Sequence, residues 1–199
     1  MDRSIAAART WGQLVRRVRV FALATSSAAG SWSTPLFFAA DAAATTLYFI
    51  TSPSSRHARE GRREPRVSGS LWAPPGRPDQ LRGAQFEGRL VAVKGAAEAA
   101  ARACFLARHP AAAERIAAAT GERFFALELD AIKVTDNRLG FGWKELLRPR
   151  ALAARQGEIR PARQGEDRPA RRGASRPARQ LVDQPVDQPV DQPVKKRKR

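Results

Sequence analysis

Between Thr51 and Arg66 the sequence reads TSPSSRHAREGRREPR, with hydroxyls at Thr51, Ser52, Ser54 and Ser55, an imidazole at His57, and guanidinium groups at Arg56, Arg59, Arg62, Arg63 and Arg66. A phosphate dianion needs hydroxyl donors, backbone N–H groups at a helix start and one or two cations. The residues alone support two readings: a phosphate site, or a solvated turn followed by a basic helix face. Metal chemistry has less support. His57 and His109 are the only histidines and Cys104 the only cysteine, with no patterned carboxylates around them, so no metal site and no intrachain disulfide are expected. Cys104, in an alanine-rich segment, reads as a small core residue, and no catalytic acid or base stands out.

The elements that must position this cluster follow from periodicity. Ile5, Ala8, Trp11, Leu14 and Val15 recur at helical spacing over residues 3–17. VRVFALATSS (18–27), WSTPLFFAA (32–40) and TTLYFIT (45–51) read as three strands joined by tight turns, an antiparallel meander. Pro35 lies inside the second strand and has no N–H for a ladder, which places that strand at an edge or at a bulge. Residues 52–64 predict a short helix with Ser52 as N-cap, Pro53 at its first position and Gly61 ending it. PRVSGSLW (65–72) and LRGAQFEGRLVAVK (81–94) are further strands, the second with Gly83 and Gly88 marking a bulge or close backbone approach. An alanine-rich helical segment, 96–119, breaks at His109-Pro110, and ERFFALELDAIKVTDN (122–137) closes with strand, Phe125, Leu127 and Leu129 sharing one face. Asp136 and Asn137 read as a side-chain-stabilised turn. The four tryptophans (Trp11, Trp32, Trp72, Trp143) read as core or interface aromatics, with Trp143, after LGFG, the candidate for a lid.

Charge is unevenly distributed. Residues 1–147 hold 21 Lys+Arg against 13 Asp+Glu, and residues 148–199 hold 15 against 6, so the last quarter carries half of the net +17. That quarter contains RPARQGED, RPARRGAS and RPARQ, three VDQP units and KKRKR. Such short polar repeats cannot bury a core, so 149–199 is expected to be a disordered basic tail behind a domain at 1–148. Five terminal cations would attract nucleic acid or another polyanion non-specifically and with strong salt dependence. No apolar run approaches the roughly 18 residues of a membrane span, and the arginine-interrupted N-terminus lacks the apolar region of a secretory signal. The expectation is a soluble cytoplasmic protein with no membrane contact.

The motif SRHAREGRREPRV resembles the phosphate-binding strand-helix-strand of the pyridoxamine-phosphate-oxidase-like FMN-binding split barrels. Ser55, Arg56, Arg59, Pro65, Arg66 and Val67 match that pattern, while His57, Glu60 and Gly61 stand where lysine, asparagine and leucine are usual. With LRGAQFEG (81–88) and LDAIKVTDNRLGFGWK (129–144), the chain is similar over about residues 5–148 to the YhbP-like branch of that superfamily, which carries Arg-His-Ala at this turn. The resemblance implies a mainly β fold with flanking helices: a six-stranded antiparallel split β-barrel, homodimeric, with FMN at the subunit interface. It implies the FMN phosphate against Thr51, Ser55, Arg56 and His57, and the flavin ring near Pro35, Leu36, Gln85 and Phe86. Glu60 opposes a phosphate unless it pairs with Arg56, Arg59 or Arg63, and neutral His57 is expected to contribute more as pH falls towards about 6.5. The function implied is a flavin-dependent oxidoreductase acting on a small molecule that the sequence does not identify. A flavin carrier or sensor without turnover, and a polyanion-binding module acting through the tail, are the alternatives.

Overall fold

The computed structural model describes residues 2–149; the proposed tail lies outside the described residues. The chain opens with α1 (Arg3–Arg17), whose N-cap Asp2 accepts a hydrogen bond from the Ser4 N–H. Ala7, Trp11, Leu14 and Val15 form its buried stripe, with Ala6 and Thr10 beside them. Ile5 is 48% exposed and Ala8 only partly buried, because the buried stripe is centred on Ala7. The Trp11 indole N–H donates to the Ala44 carbonyl at 2.8 Å and ties the helix to a turn in which Ala44 adopts φ 55°.

Eight strands follow: β1 (Val20–Ser27), β2 (Gly30–Phe37), β3 (Ala39–Ala40), β4 (Thr46–Thr51), β5 (Arg66–Ala73), β6 (Arg82–Ala92), β7 (Arg123–Asp136) and β8 (Lys144–Leu147). They form one antiparallel sheet in the order β2-β1-β5-β6-β7-β4-β3, with β8 also on β7. The two ends of that order, β2 and β3, are separated in the chain by Phe38 alone. The sheet therefore curls into a half-barrel whose edges meet at a completely buried phenylalanine. Six strands are long, as expected, and β3 and β8 are short additions.

The expected meander holds in part. β1 and β2 form a hairpin turning at Gly30 (φ +99°), and the end of the expected second strand, β3, pairs with β4 at Ala39–Tyr48 and Ala40–Leu47. β2 itself does not pair with β4, and the other edge of β4 ladders onto β7. Strand pattern specifies that a segment is extended, not which edge it joins. β2 is the edge strand that Pro35 requires, paired only with β1.

β7 explains the near-continuous apolar run FFALEL. Phe125, Leu127 and Leu129 enter the barrel core, while Phe124 and Ala126 enter a second core under α3 (Ala96–Arg108) and α4 (Ala113–Ala118). The break between these helices falls at His109-Pro110 as expected, with a turn of 3₁₀ helix at Pro110–Ala112. One edge of β7 is shared: Arg123–Glu128 pair with β4 and Ile132–Thr135 with β8. Between them, at Glu87/Gly88, the β6–β7 register shifts. A Cβ on Gly88 would lie 2.0 Å from the Glu128 carbonyl oxygen, so only glycine admits this close approach.

The helix after β4 starts later than the sequence suggests. α2 spans Arg56–Arg63, with Ser55 as N-cap accepting from the Ala58 N–H. Ser52 instead accepts the Ser55 N–H through its carbonyl and the Ser54 N–H through its hydroxyl, making a turn around Pro53. Proline fits both a helix start and the second position of a turn, and local chemistry does not separate the two. Gly61 does not end the helix; it lies within it, where a Cβ would meet Leu90 Cδ2 at 2.2 Å.

Candidate functional site

Three polar groups converge where β4 hands over to α2. The Thr51 hydroxyl lies 2.9 Å from His57 Nε2, the Ser55 hydroxyl 3.1 Å from the same nitrogen, and the Thr51 hydroxyl donates to that of Ser55 at 3.4 Å. His57 is buried in the first turn of α2. Burial lowers its pKa below the ordinary 6.5, against a smaller upward pull from Glu60, so the ring is neutral at pH 7. The first N–H groups of any helix lack intrahelical acceptors, and here they begin beside these hydroxyls. Arg59 and Arg62 arch back over the preceding turn, donating to the carbonyls of Ser54 and Pro53.

Arg56 is held one side away. Its Nε donates to Glu60 Oε1 at 2.8 Å, and its guanidinium lies 4.6 Å from the centre of the Trp32 ring. Glu60 is buried and has every reason to stay ionised: Thr25 donates to Oε2 at 2.6 Å and Ser27 to Oε1 at 2.9 Å. Hydrogen bonds from Thr25 and Arg56, then from Ser27, outweigh burial and hold its pKa down at about 2. The conflict expected of a carboxylate here is thereby resolved by pairing with Arg56, one of the three arginines named for it. Thr25 and Ser27 are participants that sequence reading missed; their signal is the alternating TSS at the end of β1.

The remaining candidates separate. Pro35 and Leu36 line a groove of about 550 Å³ between β2, Ile50 and the α3–α4 turn. Gln85 lies on the outer face of β6, where cross-strand pairing aligns it with Ser70 and Lys133. The Phe86 ring points the other way, into the core, packed against Trp11 and Phe21. Trp143 packs partly buried against the core beneath Arg3 instead of standing as a lid. The exposed aromatic of that loop is Phe141, between Gly140 and Gly142, both at positive φ. Asp136 is completely buried, accepting from Thr10 at 2.9 Å and paired with Arg138, while Asn137 accepts from the Gly142 N–H; both close turns, as expected. His109 donates to the Phe38 carbonyl and Cys104 to that of Ala40. Trp11 is core, whereas Trp72 is half exposed on the outer face and Trp32 half exposed beside α2, beneath Arg56. Among the described residues no group of three or more metal-ligating side chains comes together, and no helix is long and apolar enough to cross a membrane.

No established family profile matches the chain. Individual proteins do. The UPF0306 protein YhbP of Salmonella paratyphi A is 34% identical over 113 residues, covering 57% of this chain and 74% of that protein. A UPF0306 protein of Photorhabdus laumondii is 30% identical over 128 residues, covering 64% and 86%. The chain belongs to the UPF0306 (YhbP) family. Solved structures share the architecture of this YhbP-family chain, a mainly β split barrel. A heme-binding protein from Mycobacterium smegmatis superposes with a TM-score of 0.64 at 22% identity, over 74% of this chain and 60% of that one. HutZ, a heme storage protein from Vibrio cholerae, gives 0.52 at 17% identity (59% and 86% covered), and a FAD-binding protein from Mesorhizobium loti gives 0.51 at 16% (63% and 91%). At these identities the fold is what is shared.

Proposed function

We propose that this YhbP-family barrel binds FMN and serves as a flavin-dependent oxidoreductase for a small molecule. The observation that carries the reading is the convergence of Thr51, Ser55 and His57 at the N-terminus of α2, three neutral polar groups meeting beside the first helix amides. These groups would donate to phosphate oxygens. Arg56, fixed by Glu60 and Trp32, would supply the charge through the N–H groups that Glu60 does not use. Pro35 and Leu36 offer an apolar wall to the ring, and Gln85 a polar group on the outer face. Bound flavin would supply the hydride and electron chemistry itself.

A second copy of the chain fits the reading. The outer face of β1, β5 and β6 presents small residues at Ala22, Ala24, Ser68 and Ser70, edged by half-exposed Trp72. A homodimer packed on that strip would cover it and close over Gln85. The fold neighbours named for heme or FAD support a planar cofactor of either sort, and the tail favours an added affinity for polyanions.

The deciding experiment is the absorbance spectrum of the purified full-length protein with an FMN titration. Flavin bands and one FMN per subunit are the expected result. A Soret band would replace FMN with heme, and no binding below ~100 μM, weaker than about −5.5 kcal/mol, would remove the cofactor reading. Arg56→Ala should weaken FMN more than Arg62→Ala; equal losses would remove the phosphate placement.

A further inference from the structure

The groove between β2 and the α3–α4 turn holds two arginines, Arg19 and Arg108, that have no carboxylate partner among the described residues. Its walls are apolar, with Pro35, Phe37 and Ile50 on the sheet side and Phe105 and Ile116 on the helix side, and Arg19 and Arg108 share the lining. Arg108 is fixed in place: Nη2 donates to the carbonyls of Val18 at 2.6 Å and Arg16 at 3.2 Å, and the guanidinium lies 5.2 Å from the centre of the Phe38 ring. Its Nε is shut off from solvent without an acceptor. Arg19 donates one N–H to the Arg108 carbonyl at 2.6 Å, which brings the two side chains to the same end of α3. Among the described residues neither arginine has a carboxylate within ion-pair distance; Glu122, which also lines the groove, is paired instead with Arg115 at 3.9 Å. Burial and the neighbouring Arg19 charge both lower the Arg108 pKa, as like charges held together should.

Two cations side by side against an apolar wall, one of them half-buried, are costly unless an anion completes them. The negative ends of α1 and α3 offset part of that cost through the capped carbonyls, but a helix terminus offers about half a charge and leaves the remaining N–H groups unused. A groove of about 550 Å³ is the size that takes a small organic ligand. We propose that this groove is a ligand site for a small molecule with an apolar body and one anionic group, whose oxygens are received by Arg19 and Arg108. Naming that ligand the substrate rests on the flavin reading, since Pro35 and Leu36 belong to both; the site itself does not.

The test uses the full-length protein and two fluorescent probes of one shape, 8-anilinonaphthalene-1-sulfonate and its uncharged analogue N-phenyl-1-naphthylamine. Saturable sulfonate binding at one per chain is expected, weakening as salt is raised, with the neutral probe weaker and insensitive to salt. Arg19→Gln and Arg108→Gln should each weaken the sulfonate about tenfold or more, leave the neutral probe unchanged, and differ from Arg89→Gln, an exposed arginine on β6. Arg19 is exposed, so its variant stays folded even if Arg108→Gln loses the α1 cap, and melting curves report that directly. Absence of sulfonate binding, equal affinity for the two probes, or unchanged affinity in Arg19→Gln would each overturn the site and leave Arg108 a helix cap. A parallel FMN titration separates the two proposals. FMN binding with no sulfonate site removes only the groove ligand, and a sulfonate site without FMN binding removes only the flavin.

Discussion

At Glu60 four side chains from β1 and α2 meet, and what each contributes follows from which protons it holds. The carboxyl has a folded pKa of about 2 against an ordinary 4.5. A depressed carboxylate stabilises the fold fully above its ordinary pKa and loses that contribution as pH falls through 4.5 towards about 2. Glu60→Gln should therefore lower the melting temperature at pH 7 and flatten its decline over that acid window, as read by thermal melts across pH. An unchanged acid slope would mean that Glu60 is not the group being protonated. His57 runs the other way. Its lowered pKa means that protonation opposes folding and begins only below 6.5, so any gain in anion affinity from its charge comes at more acid pH than the sequence suggested. An imidazole NMR titration with a midpoint at or above 6.5 would contradict the burial that sets this.

The elements that hold the site depend on two glycines whose roles differ. At Gly88 a Cβ would strike a backbone carbonyl at 2.0 Å, which cannot move without breaking the β6–β7 ladder. Gly88→Ala should cost at or above the top of the roughly 1–3 kcal/mol range for overpacking. At Gly61 the clash is with the end of the Leu90 side chain, which can rotate, and alanine brings about 0.8–1 kcal/mol of helix propensity. Gly61→Ala should thus be milder, and combining it with Leu90→Ala should be less damaging than the sum of the single changes, because the new methyl enters the space that Leu90 leaves. Urea unfolding of the four proteins measures this; strict additivity would show that the two residues do not share a space. Sequence periodicity foresaw α1 over its full length, the His109-Pro110 break and β2 as an edge. It placed the start of α2 too early, because Ser52-Pro53 satisfies turn and helix chemistry alike and only the packing of α2 on β1 and β6 selects between them.

At the scale of the whole molecule, the outer face of small residues and the charged C-terminal repeats make separate demands. If a second copy covers Ala22, Ser70 and Trp72, light scattering should give a dimer, and Trp72→Glu should shift it to monomer and weaken FMN binding together. A monomeric wild-type protein with full FMN affinity would end the dimer reading. Replacing the cations of residues 195–199 with glutamine should reduce retention on a heparin column while leaving the melting temperature unchanged. What the sequence determined by itself was local: extended and helical segments, the proline and glycine punctuation, and the cluster of hydroxyls and imidazole at Thr51–His57. These follow from forces acting over one or two turns of chain. Tertiary structure alone decided that β4 joins β7, that Glu60 is quieted by Thr25 and Ser27 from 35 and 33 residues away, and that Arg19 meets Arg108 across 89 residues. Such pairings depend on how the sheet curls to bury its two cores, which no run of neighbouring residues encodes.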